Sequence, residues 1–315
     1  MTKRELGKSG ISISPLVLGA NVFGWTADKK RSFELLDRFA DAGFQAIDTA
    51  DMYSTWVSGN KGGESETIIG EWLAMRGNRS QMVIITKVGM EMPDGKGLSA
   101  AWIEKEVENS LRRLRTDHID VYFSHIFDAE APLEETLGAY DRLIKAGKVR
   151  TIGASNHSAE QLAAALEAAR KAGLPRYEVL EPQYNLYDRA TYEGALRDLA
   201  MAEQIGVTPY YGLARGFLTG KYRSEDDLGK SPRGGGARGY MNERGFGILA
   251  ALDEVAATHN ARPGEVAIAW LIAREGVTAP IASATTLDQL DSLIRATELA
   301  LSTKDIARLE QASTW

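Results

Sequence analysis

The chain has 315 residues, of which 44% are hydrophobic and 25% charged, with a formal net charge of -6 and no cysteine. That is the composition of an ordinary globular protein, long enough for one large domain or two medium ones. The acidic balance argues against a nucleic-acid binder, and the lack of cysteine excludes disulfide scaffolds and thiolate metal sites.

The opening "MTKRELGKSG" lacks the apolar centre of a signal peptide, and no run approaches a membrane span, so a cytoplasmic protein without a membrane partner is expected. "RELGKSGISISPL" then sets a glycine-bearing turn between two short extended pieces, which predicts a small β-hairpin. Beyond it, short apolar runs alternate with amphipathic stretches. Buried strands are predicted at 16–18, 45–47, 83–86, 121–123, 151–153, 179–181, 208–210 and 280–281. Helices are predicted at 30–42, 64–75, 100–114, 133–146, 158–172 and 189–201. Gly43, Gly147 and Gly173 follow three of these helices, where a left-handed cap suits glycine. Arg112, Arg113 and Arg115 cluster at one helix end, where cations complement the dipole.

Strands alternating with crossover helices predict an α/β protein with a parallel sheet. Eight such units suit a closed (β/α)8 TIM barrel, here a single domain over residues 1–315 with the hairpin capping its bottom. A doubly wound open sheet is the alternative. Residues 221–246 hold too many glycines and charges for a core element and predict a long loop after strand 7.

In such a barrel the C-terminal strand ends converge on one face, where chemistry is found. That rule selects Asp48 after "QAI", Lys87 after "VIIT" and His125 after "VYFS". Taken singly, each has a plainer role as a turn former or a solvated charge; three on successive strands predict a site. Tyr53 completes the set. A phenol of pKa about 10 donates a proton poorly at neutral pH unless its anion is stabilised. An ammonium from Lys87 paired to Asp48 is expected to do that, while neutral His125 orients a carbonyl or hydroxyl oxygen. No side chain delivers hydride, so a nicotinamide cofactor is implied.

The pieces "GFQAIDTADMYSTW", "GESETIIGEWL", "VIITKVG", "GKVRTIGASNHSAEQL", "EPQYNLYDR" and "GLARGFLTGKY", in this order over nearly the whole chain, resemble the aldo-keto reductases. The likeness is nearest to the bacterial and plant branch that also includes potassium-channel β-subunits. It implies a catalytic tetrad of Asp48, Tyr53, Lys87 and His125. It also implies that Ser155 and Asn156, joined by Gln183, bind the nicotinamide carboxamide, and that Tyr210 stacks on the ring. The segment from Tyr211 and Gly212 through Leu213, Arg215 and Gly216 to Lys221 matches the loop that wraps the pyrophosphate. Gly19, Ala20 and Asn21, with Asp48, match the nicotinamide end. Phosphate binding falls to Ser283, Thr285, Thr286 and Gln289.

Departures from the family pattern bear on cofactor choice. The cation often found near Thr285 or Thr286 is absent, as is the asparagine near Leu293; Gly212 replaces a proline and Tyr211 a serine. The resemblance therefore implies NADP(H) as the preferred cofactor, less strongly than usual, with NAD(H) possible. Phe23, Trp25, Trp56 and Phe127, beside Tyr53 and His125, are expected to ring a partly apolar mouth for a small carbonyl or alcohol substrate. A cofactor-binding regulatory or interaction protein, as in the channel subunits, is the alternative. A short-chain dehydrogenase would need Tyr-x-x-x-Lys and an N-terminal glycine fingerprint, neither of which is present. "GGGARG" at 234–239 lacks the flanking strand and helix of a dinucleotide fingerprint and is read as a flexible loop, and the scattered histidines offer no metal-ligand spacing.

Overall fold

The computed structural model describes residues 2–315. An antiparallel hairpin, β1 (Arg4–Glu5) and β2 (Ser12–Ile13), precedes an eight-stranded parallel sheet. The sheet comprises β3 (Val17–Gly19), β4 (Ala46–Asp48), β5 (Val83–Val88), β6 (Ile119–Ser124), β7 (Val149–Ser155), β8 (Val179–Glu181), β9 (Gly206–Val207) and β10 (Ile281–Ala282). Its order is β10-β3-β4-β5-β6-β7-β8-β9. The two outer strands meet: Thr278 N donates to Val207 O (2.8 Å) and Ile281 N to Pro209 O (2.8 Å). The sheet thus curls into the predicted (β/α)8 barrel.

Around it lie α1 (Lys29–Asp41), α2 (Glu64–Arg76), α3 (Ala100–Leu114), α4 (Leu133–Lys145), α5 (Ala159–Ala172) and α6 (Ala195–Ala202). The outer layer is completed by α7 (Glu243–His259), α8 (Pro263–Ala273), α9 (Leu287–Ala296) and α10 (Thr303–Ala312). Caps explain several starts: Asp28, Ser99, Ser158 and Thr286 each accept a backbone N–H from the first turn of the helix they precede. No helix among the described residues is long and apolar enough to cross a membrane.

The period of two along each strand sorts side chains between two cores. Val17, Ala46, Val83, Ile85, Val121, Phe123, Val179 and Ile281 fill the barrel interior together with Leu6, Ile11 and Ile13 of the hairpin. Leu18, Ile47, Ile84, Tyr122, Ile152 and Leu180 face the helices. Gly153 leaves room for the Phe123 ring, which a Cβ there would meet at 2.4 Å. Counting on by twos from the inner layer reaches Asp48, Lys87, His125, Ser155 and Glu181, so alternation alone brings these polar groups to the inner rim.

Three elements differ from the sequence reading. The helix expected at 189–201 begins only at Ala195, because Arg189 is drawn into a pair with Glu193 and Gly194 takes φ 94, a turn rather than a helical residue. The strand expected at 208–210 is Gly206–Val207, with Tyr210 pairing onward only through an isolated bridge to Gln183. The long connection after β9 contains short 3-10 helical segments at Ala214–Thr219, Glu225–Lys230 and Gly234–Tyr240. "GGGARG" belongs to the last of these and buries Gly234, Ala237 and Tyr240, so it is a packed turn. Arg113, too, turns from the helix end to bind Glu66 and Glu106, both buried, instead of simply complementing the dipole.

The hairpin seats on the barrel bottom through glycine: a Cβ on Gly206 would lie 2.5 Å from Gly7 N and 2.7 Å from Leu6 C. Gly206→Ala should therefore lift the hairpin and cost about 1–3 kcal/mol through overpacking. Urea unfolding checks this, and an unchanged midpoint would refute it.

Candidate active site

The rim of the barrel interior is polar because five strands bring Asp48, Lys87, His125, Ser155 and Glu181 to it at or just past their ends. Lys87, buried on β5, donates to the Asp48 carboxylate, to Thr49 O (2.9 Å) and to the Tyr53 hydroxyl (3.0 Å). Tyr53 in turn donates to Asp48 Oδ2 (3.2 Å). The turn after β4 makes this reach possible: Tyr53 N bonds Ala50 O, and Ser54, at φ 74, anchors through Oγ to Phe23 O (2.8 Å). His125 follows β6 with its ring centroid 6.1 Å from that of Tyr53, and its buried Nδ1 has no partner.

The electrostatics of this group are set by burial. It lowers His125 well below the ordinary imidazole value, and the Lys87 charge adds to that, so the ring is neutral. The Lys87 ammonium is held well above its usual range: burial opposes the charge, but the carboxylates of Asp48 and Glu181 outweigh it. For Tyr53 the sequence reading expected Lys87 to acidify the phenol. The structure reverses the balance at rest: burial first and Asp48 second push Tyr53 well above its ordinary value, with Lys87 opposing them. Tyr53 is stored as a proton-bearing phenol, and Lys87 offsets part of the cost of its anion.

Sequence reasoning missed Glu181. Its Oε1 lies 3.4 Å from Lys87 Nζ, and the residue is buried. The strand-end rule that selected Asp48 applied equally to "VLE" and was not extended to it. By contrast, Gln183 spends its amide on Asp188 (2.8 Å), and it is Glu181 whose carbonyl accepts from Ser155 Oγ (3.0 Å).

The remaining expected residues fall into three groups. Asn156, at φ 55, donates to His125 O and to Ser155 Oγ and accepts from the Tyr210 hydroxyl (2.7 Å), so Ser155, Asn156 and Tyr210 form one edge. Gly19, Ala20 and Asn21 meet β10: Ser283 Oγ donates to Asn21 Oδ1 (2.6 Å), Ala20 N to Asp48 O (2.8 Å), and a Cβ on Gly19 would strike Ser283. Thr285 and Thr286 sit at the start of α9, where Thr286 Oγ1 accepts from Gln289 N and Thr285 N donates to Gln289 Oε1.

The loop from Tyr211 to Lys221 has the conformation of a cradle. Tyr211, Ala214, Arg215 and Gly216 all take positive φ, and a Cβ on Gly212 would press Leu271 of α8 at 2.8 Å. Its cations, and Arg233 further along the chain, are held over rings: Arg215 over Tyr211 (4.6 Å), Lys221 over Tyr222 (4.9 Å) and Arg233 over Trp25 (5.6 Å). The exposed cations nearby are instead paired, Arg223 with Asp253, Lys230 with Asp227 and Arg238 with Glu225. Arg233, absent from the sequence reading because its loop shows no periodicity, is desolvated enough to lower its pKa. Cations without a carboxylate above a strained backbone fit a bound anion such as a dinucleotide pyrophosphate.

At the mouth, Trp25 and Trp56 pack edge to face (5.6 Å), and Trp56 stands 6.2 Å from Tyr53. Phe127 packs on His157 (5.6 Å). Phe23 does not ring the mouth: it has no exposed surface and belongs to the outer core, because the bridge to Ala27 turns the chain back on itself there.

The model of the aldo/keto reductase family matches residues 15–314. The chain is 33% identical over 312 residues to the uncharacterized oxidoreductase YrpG of Bacillus subtilis, covering 96% of this chain and 93% of that protein. It is 31% identical to norsolorinic acid reductase stcV of Emericella nidulans, over 96% of this chain and 79% of that one. It is 29% identical to an L-glyceraldehyde 3-phosphate reductase of Escherichia coli, over 99% of this chain and 92% of that one.

The buried, Lys87-facing imidazole gives a direct test. His125 should show no protonation step near the ordinary value of 6.5 in a nitrogen-detected NMR titration. A midpoint there would mean that the ring is solvated and the site open to water.

Proposed function

The chain belongs to the aldo/keto reductase family, and from that membership we propose that it reduces aldehydes or ketones to alcohols, or runs the reverse reaction, with NADP(H) and with Tyr53 as general acid and base. Members of this family are oxidoreductases that act on small carbonyl compounds with nicotinamide cofactors. The observation that supports the finer reading is the join of Tyr53 Oη, Lys87 Nζ and Asp48 at the inner rim beside a neutral imidazole.

When bound, the nicotinamide supplies the hydride. The protein's own residues manage the proton and the oxygen. A substrate carbonyl oxygen directed at Tyr53 and His125 accepts the Tyr53 proton as negative charge develops on it, and the neutral imidazole steadies that oxygen by a hydrogen bond. The tyrosinate left behind lies within reach of the Lys87 ammonium, which Asp48 keeps charged and oriented. In the reverse direction the tyrosinate takes the alcohol proton. Trp25 and Trp56, packed edge to face, give the mouth an apolar wall beside Tyr53.

Residues for the cofactor lie in series along the rim. Ser155 and Asn156 offer hydrogen bonds for the carboxamide, Tyr210 an aromatic face, and the cradle with Arg215, Lys221 and Arg233 a seat for the pyrophosphate. The start of α9, with Thr285 and Thr286, offers backbone amides and hydroxyls to a further phosphate. Its first turn also carries Asp288, paired to Arg262, which keeps that preference modest.

Two measurements test the reading. Tyr53→Phe should lower kcat with aldehyde and ketone panels by about 10²- to 10⁴-fold while leaving cofactor affinity nearly unchanged. Wild-type turnover retained by that variant would remove Tyr53 from the chemistry, and cofactor binding without any turnover would favour the regulatory alternative. Fluorescence titration should show NADPH binding more tightly than NADH, and a preference for NADH would overturn the cofactor assignment.

A further inference from the structure

Glu181 is a buried carboxylate that the reaction above does not use. It ends β8 in the inward phase, with Oε1 3.4 Å from Lys87 Nζ and Oε2 without any hydrogen-bond partner. Asp48 lies nearer and in direct contact, so two carboxylates flank one ammonium in a water-poor site. If both were ionised the cluster would be net anionic, and the charge facing the weaker attraction is the one given up. The more distant carboxylate therefore takes the proton. Burial first and the Asp48 charge second push Glu181 up to about 8.

Burial also raises Asp48, with the Lys87 charge opposing it, so the two carboxyls titrate as an interacting pair of which Glu181 is the member more loosely held by Lys87. Asp48 of β4, Tyr53 in the turn after it, Lys87 of β5, His125 beyond β6 and Tyr210 beyond β9 face the cluster, while Ser155, Ser283 and Asn21 are uncharged. Tyr210 registers the charge: its phenol is pushed up to about 12, by burial first and by Glu181 second. Glu181 thus acts on both the proton donor's lysine, 3.4 Å away, and Tyr210, whose ring is proposed to stack on the nicotinamide and whose backbone N–H donates to the carbonyl of the residue after Glu181, Pro182 (3.0 Å).

We propose that Glu181 is a positioning residue that switches the charge beside the nicotinamide seat, leaving Lys87 to Asp48 and Tyr53 as the acid, and favouring the cationic oxidised ring over the reduced one as the carboxylate. The inference rests on the nicotinamide reading above. Its chemical step is the loss of one proton from the Glu181 carboxyl to water, with no other bond broken.

The test compares wild type with Glu181→Gln by titrating NADP+ and NADPH at pH values well below and well above 8. In wild type the oxidised form should gain on the reduced form by roughly tenfold across that range, as a full charge comes to face the ring at partial screening. In Glu181→Gln the ratio should stay flat. A flat wild-type ratio, or the same rise in the variant, overturns the proposal.

Two readings need no cofactor. Asp51 is another buried carboxyl raised by burial, so the infrared reading is taken as the difference between wild type and Glu181→Gln: the carbonyl band of a protonated carboxylic acid should appear in that difference at neutral pH and vanish as pH passes 8, and its absence from the difference at neutral pH overturns the proposal. An acid whose folded value is raised favours the folded state at low pH, and that stability is lost as pH rises from 4.5 through 8. The Tm of Glu181→Gln should therefore gain on wild type over that window, whereas an offset constant with pH would mark a merely structural role. If both cofactor-free results hold but neither nicotinamide form binds, the nicotinamide reading fails and the titrating acid stands.

Discussion

The active rim depends on one ammonium that cannot reach water. Lys87 is buried, and it is held there by Asp48, by the Thr49 carbonyl, by Tyr53 and by Glu181. An uncompensated charge at such depth costs several kcal/mol, so the Asp48 carboxylate is a condition of folding as much as of chemistry. The same field explains the neighbours. Burial first and the Lys87 charge second keep His125 neutral, and that charge would receive a tyrosinate; burial first and the Asp48 carboxylate second hold the Tyr53 proton in place.

The barrel makes this grouping inexpensive. Its interior is filled from below by the hairpin and by alternate apolar residues of the strands, so the polar layer stands on a packed floor. Closure through Thr278 and Ile281 onto the backbone after β9 brings β10 beside β3. The β10-β3 pairing places Ser283 against Asn21 and carries the polar rim around to the start of α9.

The loop after β9 supplies what the strands cannot. Strands deliver short side chains to an inner face; an extended diphosphate needs a curved run of backbone and cations with freedom to approach it. Positive φ at Tyr211, Ala214, Arg215 and Gly216 makes that curve, and packed turns further along fix Arg233 over Trp25. The proposed cofactor seat and the proposed substrate mouth therefore share a wall, since Trp25 also packs on Trp56.

Asp48, Lys87 and His125 were legible because strand-end position depends on local periodicity, which a single sequence displays. The same periodicity contained Glu181, but a carboxylate ending "VLE" looks no different from any other until Lys87 is seen 3.4 Å away. Phe23 was misplaced because its burial depends on a bridge to Ala27 that has no sequence signature. "GGGARG" was read as flexible because glycines announce freedom, whereas the packing of Ala237 and Tyr240 removes it. The amino-acid order by itself determined the strand-helix alternation, the inward phase of each polar residue and the family, all of which are written in local pattern. Tertiary structure alone decided the net charge around Lys87, the protonated state of Tyr53 and the partners of Arg113 and Arg233, because electrostatic energy depends on distances between residues far apart in the chain and on how much water the fold leaves between them.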